Sequence, residues 1–208
     1  MNLYSFRISS ITIFILTVVS LRYYAMFSTD QLGAVDLAID EAQYLFWSQN
    51  LNFGYYSKPP FIAWILSLPS TFCNEIGPCL RTTQPIAFLF TTLFSSACTF
   101  ELTKNIKATA LTCISIIILP LSTFYSQFAT TDAWLLFFWS FSLYCFIKSI
   151  KTQKLYWWLI LGVSVGLGLL TKYSMIFFII SSFLFLLISR KIRFAGPWIT
   201  LIVIIIVF

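Results

Sequence analysis

Seven long apolar runs decide what this chain can fold into. A transmembrane helix needs roughly 20 mostly apolar residues to cross about 30 Å of hydrocarbon. Spans are predicted at Ile8–Phe27, Thr82–Leu102, Ala108–Tyr125, Ala133–Ile147, Tyr156–Leu170 and Ser174–Ser189, with a last one starting near Pro197. A chain that is 59% hydrophobic and only 10% charged lies far from the balance of a soluble domain. The expected fold class is all-α, a polytopic helical bundle in a membrane. The sequence closes at Phe208, inside "WITLIVIIIVF", with no polar flank. Residues 1–208 are therefore read as the amino-terminal part of a longer multi-spanning domain whose carboxyl-terminal part is missing. The first run ends in "LRYYAMFS", which offers no small-x-small cleavage site, so it reads as a retained helix rather than a signal peptide.

Lysine and arginine collect in short cytoplasmic loops, and this orients the helices. Lys104 and Lys107, then Lys148, Lys151 and Lys154, then Arg190, Lys191 and Arg193 fall between successive pairs of spans, which puts those loops and the amino terminus inside. The net charge of +6 is thus a topology signal. It is spread over separate loops and makes no single basic face, which excludes a nucleic-acid partner. Asp30, Asp36, Asp40, Glu41, Glu75 and Asp132 are placed outside, leaving only Glu101 near the inner face.

One polar interruption stands out, the loop of about 28–81. It carries "DEAQYLFWSQNLNFGYYSKPPF" from Asp40 to Phe61. Loops of this length are more often functional than accidental. From Asp36 to about Leu51, positions 36, 40, 44, 47 and 51 share one side of a helix, setting Asp40 beside Tyr44 and Trp47. Glu41 points about 100° away and is read in a supporting role, hydrogen-bonded or ion-paired. Pro59 and Pro60 suit the first turn of a second helix through "FIAWILSLPSTF". Both helices are expected at the interface. Lys58 sits in "YYSKPP" beside Tyr55 and Tyr56. Cys73 and Cys79 flank "NEIGP" where an oxidising compartment would permit a disulfide, whereas Cys98, Cys113 and Cys145 read as apolar packing residues. Asp132 stands at a helix start, where Asp is also a common cap, and Lys172 at a helix end, where the dipole favours a cation.

Three segments in order, "DEAQYLFWSQNLNFGYYSKPPFIAW", "TTDAWLLFFWSFSLY" and "GLGLLTKYSMIFF", resemble the amino-terminal half of the C-type integral-membrane glycosyltransferases. The resemblance runs to about residue 193. It is closest to the bacterial protein-mannosyltransferase-like branch, with the aminoarabinose transferases that modify lipid A and the RgtA/B/C/D-like transferases. It implies inverting transfer of a sugar from a polyprenyl-phosphate carrier to a lipid, glycan or protein acceptor, on the outer side of the inner (plasma) membrane. It also implies that Asp40 is the catalytic carboxylate, with Glu41 and Asp132 as further active-site acids. Lys58 would contact the lipid phosphate. Lys172, Tyr44, Trp47, Tyr55 and Tyr56 complete the candidate substrate-binding set. The lipid A branch has Glu where this chain has Ser57, and the chain has no histidine, so a metal site built on those residues is in doubt. The remaining cofactor candidate is a divalent cation, Mg or Mn, on Asp132.

The chemistry stands beside the resemblance. An acceptor hydroxyl needs a carboxylate base, and a departing lipid phosphate needs cations. Two rival classes are a transporter with outer-facing carboxylates and a non-catalytic scaffolding subunit. A transporter predicts ionisable residues near mid-helix and paired broken helices, and neither is prominent in the sequence.

Overall fold

A computed structural model describes residues 3–31, 37–70, 72, 76–189 and 195–208. Asp36, Cys73, Glu75, Arg190, Lys191 and Arg193 lie outside the described residues, as do the side chains of Arg7 and Asp30. Among the described residues every regular element is helical: α1 (Leu3–Gln31), α2 (Ile39–Gln49), α3 (Phe61–Ser70), α4 (Ile76–Arg81), α5 (Thr83–Thr103), α6 (Ile106–Ile118), α7 (Pro120–Tyr125), α8 (Thr131–Thr152), α9 (Leu155–Thr171), a 3₁₀ turn (Tyr173–Met175), α10 (Ile176–Ile188) and α11 (Ala195–Val207). This is the all-α membrane bundle that the apolar runs predict. Among the described residues two helical stretches, Pro78–Thr103 and Thr131–Thr152, are long and apolar enough to cross a bilayer, and five shorter apolar helices accompany them.

The run expected as one span over Ala108–Tyr125 is broken. Leu119 leaves the helical region at φ −51, ψ 128, and Pro120 opens α7. Proline has no N–H to give the carbonyl four residues back, and its ring clashes with that carbonyl. The freed acceptors are taken by side chains. Ser122 Oγ donates to the Ile116 carbonyl at 2.7 Å, and Arg22 Nη2 of α1 donates to the Ile117 carbonyl at 2.5 Å. Arg22 is only 4% exposed.

Helix α8 packs between α5 and α9, and α11 closes against α9. Polar and small residues set these seams. The Ser142 and Ser164 hydroxyls meet at 2.8 Å between α8 and α9, and Thr200 Oγ1 donates to the Trp158 carbonyl at 2.9 Å between α11 and α9. On α9 the sequence "GVSVG" places Gly162 and Gly166 four apart on one face, the spacing that lets helix backbones approach in lipid. A Cβ at Gly162 would lie 2.6 Å from Val203 Cβ, and one at Gly166 would lie 2.7 Å from Val207 Cβ. Gly162→Ala is therefore expected to destabilise: overpacking costs roughly 1–3 kcal/mol, against about 1 kcal/mol of gained helix propensity. Thermal unfolding in detergent reads the sign, with Gly54→Ala as the control, since nothing lies within 4 Å of a Cβ there. Equal midpoints for both variants would show that α9 and α11 do not pack this way.

The ends of the bundle differ in charge. At one end Glu101 pairs with Lys148 at 2.6 Å and Lys104 at 2.8 Å, and Lys151 reaches both its carboxylate and its backbone carbonyl. Asp132 begins the same α8 that carries Lys148 and Lys151, so the other end lies roughly 30 Å away at 1.5 Å per residue. The loop helices α2 and α3 cover that end. Tyr44, Trp47, Ile62, Ala63 and Leu66 share a core with Phe88, Ala133, Trp134 and Phe138 from the ends of α5 and α8. Nearby, Cys79 is disulfide-bonded, while Cys98, Cys113 and Cys145 are free thiols buried in spans.

Candidate active site

The site begins with how α2 stops and which face it buries. Expected to run to Leu51, it ends at Gln49, because Asn50 turns to φ −129 and hands its N–H to the Trp47 carbonyl. Asn favours such ends, where its short amide can bond the local backbone, and Asn50 Nδ2 donates to the Phe46 carbonyl at 3.2 Å. Leu51 is left exposed. The buried face is Glu41, Tyr44, Trp47 and Ser48 rather than a stripe centred on Asp40. Asp40 lies at its edge, exposed in the first turn, where the helix dipole favours a carboxylate.

Glu41 is 1% exposed and fully engaged. Its Oε1 accepts from Arg81 Nε at 2.9 Å and from the Ala129 N–H at 2.7 Å; its Oε2 accepts from Arg81 Nη2 at 2.8 Å and from the Ala38 N–H at 3.0 Å. Arg81 is 2% exposed and also lies over the Phe128 ring at 5.5 Å. One carboxylate thus joins the start of α2, the end of α4 and the segment entering α8. A buried pair of this kind is tolerable only when its remaining hydrogen-bonding capacity is met, and for Glu41 it is. The supporting role read from sequence acquires a partner that sequence reasoning missed, Arg81.

Tyr44 is 2% exposed on this buried face. Burial first, then the charges of Asp40 and Asp132, push the Tyr44 hydroxyl up to about 12, with the Thr131 side chain beside it. The phenol therefore stays protonated across the physiological range. Lys172, the residue that ends α9, donates Nζ to Asp132 Oδ1 at 2.7 Å. Both side chains are partly exposed, so the pair's worth lies in placing a cation and a carboxylate together more than in stability. Thr130, two residues before Asp132, and Ser174, two after Lys172, each bury a hydroxyl that has no hydrogen-bond partner.

The other candidates divide. Lys58 is half-buried, with no hydrogen bond or ion pair among the described residues, and Tyr56 is fully exposed. Trp47 is core, and Tyr55 stacks on it at 4.6 Å. The Tyr55 hydroxyl lies 3.1 Å from the Trp47 carbonyl and 3.0 Å from that of Asn50, and accepts the Asn52 N–H at 2.9 Å. It shapes the loop. No group of three or more His, Cys, Asp or Glu side chains lies together among the described residues, and Asp132 Oδ1 holds the Lys172 ammonium. No step below is routed through a divalent cation.

An exposed acid on α2, a second acid held by Lys172, and Lys58 between α2 and α3 can now be set beside known proteins. Residues 57–208 match the family described as dolichyl-phosphate-mannose-protein mannosyltransferase. The chain belongs to that family. Within the mannosyltransferase family it is 33% identical over 170 residues to the lipid A galacturonosyltransferase RgtD of Rhizobium johnstonii, covering 78% of this chain and 34% of the relative. It is 32% and 31% identical over 140 residues to the lipopolysaccharide core galacturonosyltransferases RgtB and RgtA of the same organism, covering 66% of this chain and 28% of each. The chain thus spans about a third of the length of the curated relatives it matches. No solved structure matches it.

Proposed function

We propose that this chain carries the base and the phosphate-binding lysines of an inverting glycosyltransferase. The enzyme would move a sugar from a polyprenyl-phosphate carrier to a glycolipid of the lipid A or lipopolysaccharide class, on the outer side of the inner membrane. The observation that carries this reading is the Lys172–Asp132 pair at 2.7 Å, at the end of the bundle that α2 covers with Asp40 exposed in its first turn. Family membership and the names of the relatives support the transfer and the class of acceptor. The lysines gathered around Glu101 at the opposite end support the orientation.

In the reaction, the acceptor hydroxyl gives its proton to the Asp40 carboxylate as its oxygen bonds to the anomeric carbon. The bond from that carbon to the phosphate oxygen breaks on the opposite face, its electron pair leaving with the lipid phosphate, so the configuration inverts. Lys58 and Lys172 take up the charge that grows on the leaving oxygen. Lys172 begins on Asp132 and can share its remaining protons with the phosphate. Tyr44, protonated throughout, can donate a hydrogen bond to either carboxylate.

The test is donor turnover with the protein in lipid nanodiscs. Wild-type protein is expected to bind a polyprenyl-phosphate sugar and release the sugar to acceptor. Lys58→Ala should weaken donor binding and slow transfer together, because the phosphate is charged before and during reaction; a lost charge-assisted hydrogen bond corresponds to roughly 10–100-fold. Absence of any donor binding by the wild type would end the proposal.

A further inference from the structure

Arg81, the partner of Glu41, also lines a cavity that does not include Asp40. Between α1, α4 and the segment around α7 is a cavity of about 400 Å³ whose walls include Arg22, Arg81, Thr123 and Gln127, with Val18 and Leu21 as apolar lining. Arg22 Nη2 is used, donating to the Ile117 carbonyl at 2.5 Å, to Ser122 Oγ at 3.2 Å and to Thr123 Oγ1 at 3.4 Å. Its Nε is buried and has no acceptor among the described residues. Among the described residues no carboxylate pairs with Arg22, whereas Glu41 pairs with Arg81. Arg22 is thus a buried guanidinium with no carboxylate partner among the described residues. An ionised group buried without a counter-charge in a membrane-spanning helix is costly, and such residues mark binding sites.

We propose that this cavity binds the phosphate group of a membrane lipid, with Arg22 as its principal cation. A phosphodiester carries one negative charge, opposite to that of Arg22, and its oxygens are acceptors suited to a guanidinium. Depth favours a lipid over a free ion. Arg22 is followed by Tyr23 and Tyr24, the residue type that gathers at headgroup level, and Tyr23 donates its hydroxyl to the Thr82 carbonyl at 2.8 Å. From this point an exposed groove lined by Ile13, Leu16, Ser20 and Leu21 runs along α1 toward its start and shares Leu21 with the cavity wall, so an acyl or prenyl chain has a surface to lie on. The site is separate from Asp40 and does not depend on the transfer chemistry.

The experiment is native mass spectrometry of the protein released from nanodiscs of mixed phosphatidylglycerol and phosphatidylcholine. Wild-type protein is expected to retain one phosphatidylglycerol in clear preference to phosphatidylcholine. Arg22→Met should reduce that retention roughly 10–100-fold, the loss of a charge-assisted hydrogen bond, while Arg22→Lys should keep part of it. Asp40→Asn should retain lipid like the wild type, so a failure of the transfer reading would leave this result standing. Added decaprenyl phosphate displaces the phospholipid if the site belongs to a carrier lipid and leaves it in place if the lipid is structural; either result keeps the site. Equal retention of the two lipids by the wild type, or displacement by inorganic phosphate alone, overturns the proposal. Should Arg22→Met fail to fold, the wild-type preference and the Arg22→Lys result decide it.

Discussion

Replacing Asp40 by Asn should lower sugar transfer by roughly 10²–10⁴-fold, the usual weight of general-base catalysis. The change keeps the size of the side chain and much of its hydrogen bonding, and removes only the proton acceptor. Asp40 is exposed and is not tied into the Glu41–Arg81 knot, so the fold should not register its loss. Donor binding should change far less than turnover, because the lysines and not the base meet the phosphate. Donor affinity and single-turnover rates in nanodiscs separate the two. A variant that transfers at near-normal rate would sink the assignment of Asp40, and Asp132 would be the next carboxylate to examine.

Glu41→Ala is expected to act on the fold instead. Removing one partner of a buried ion pair costs roughly 3–5 kcal/mol, because the other charge stays buried without it. That is a large part of the roughly 5–15 kcal/mol that holds a typical domain together. Three N–H contacts to Glu41 besides the Arg81 Nη2 bond are lost with it, those of Ala38, Ala129 and Arg81 Nε. The thermal midpoint in detergent and the yield of monodisperse protein should both fall sharply. The double change Glu41→Leu with Arg81→Met should recover part of the loss, since neither charge then remains. The fraction of Glu41→Ala that does fold should keep more of its turnover than Asp40→Asn does. A midpoint equal to that of the wild type would show that the pair does not hold the loop.

Hydropathy was a sufficient guide to the apolar helices because an apolar run has few ways to satisfy its backbone in lipid except as a helix. It failed at Pro120, where averaging over a window hid a single residue that cannot donate. The same averaging passed over Arg22, although a lone arginine in an apolar helix is by default a functional signal. In the loop, periodicity found both helices and paired Asp40 with Tyr44. It could not say which edge of the stripe faces inward, because that was decided by Arg81, forty residues on, and by the Ala129 N–H. Lys172 and Asp132 were each legible as residues at helix ends. Their contact depends on α8 and α9 lying side by side, a tertiary fact with no local signature.

The knot around the Tyr55 hydroxyl has a consequence for how such a loop can diversify. A single phenol gathers the backbone at Trp47, Asn50 and Asn52, and stacking on Trp47 fixes the ring itself. Around these fixed points the side chains of Leu51 and Tyr56 are exposed, while the Phe53 ring meets Trp64 edge-on at 6.0 Å. Frame and display are therefore uncoupled at two positions: Leu51 and Tyr56 can be exchanged without disturbing the turn, much as lettering can change on a sign whose post stays put. Variation in what the loop touches can accumulate there while Asp40 and Glu41 keep their places on α2.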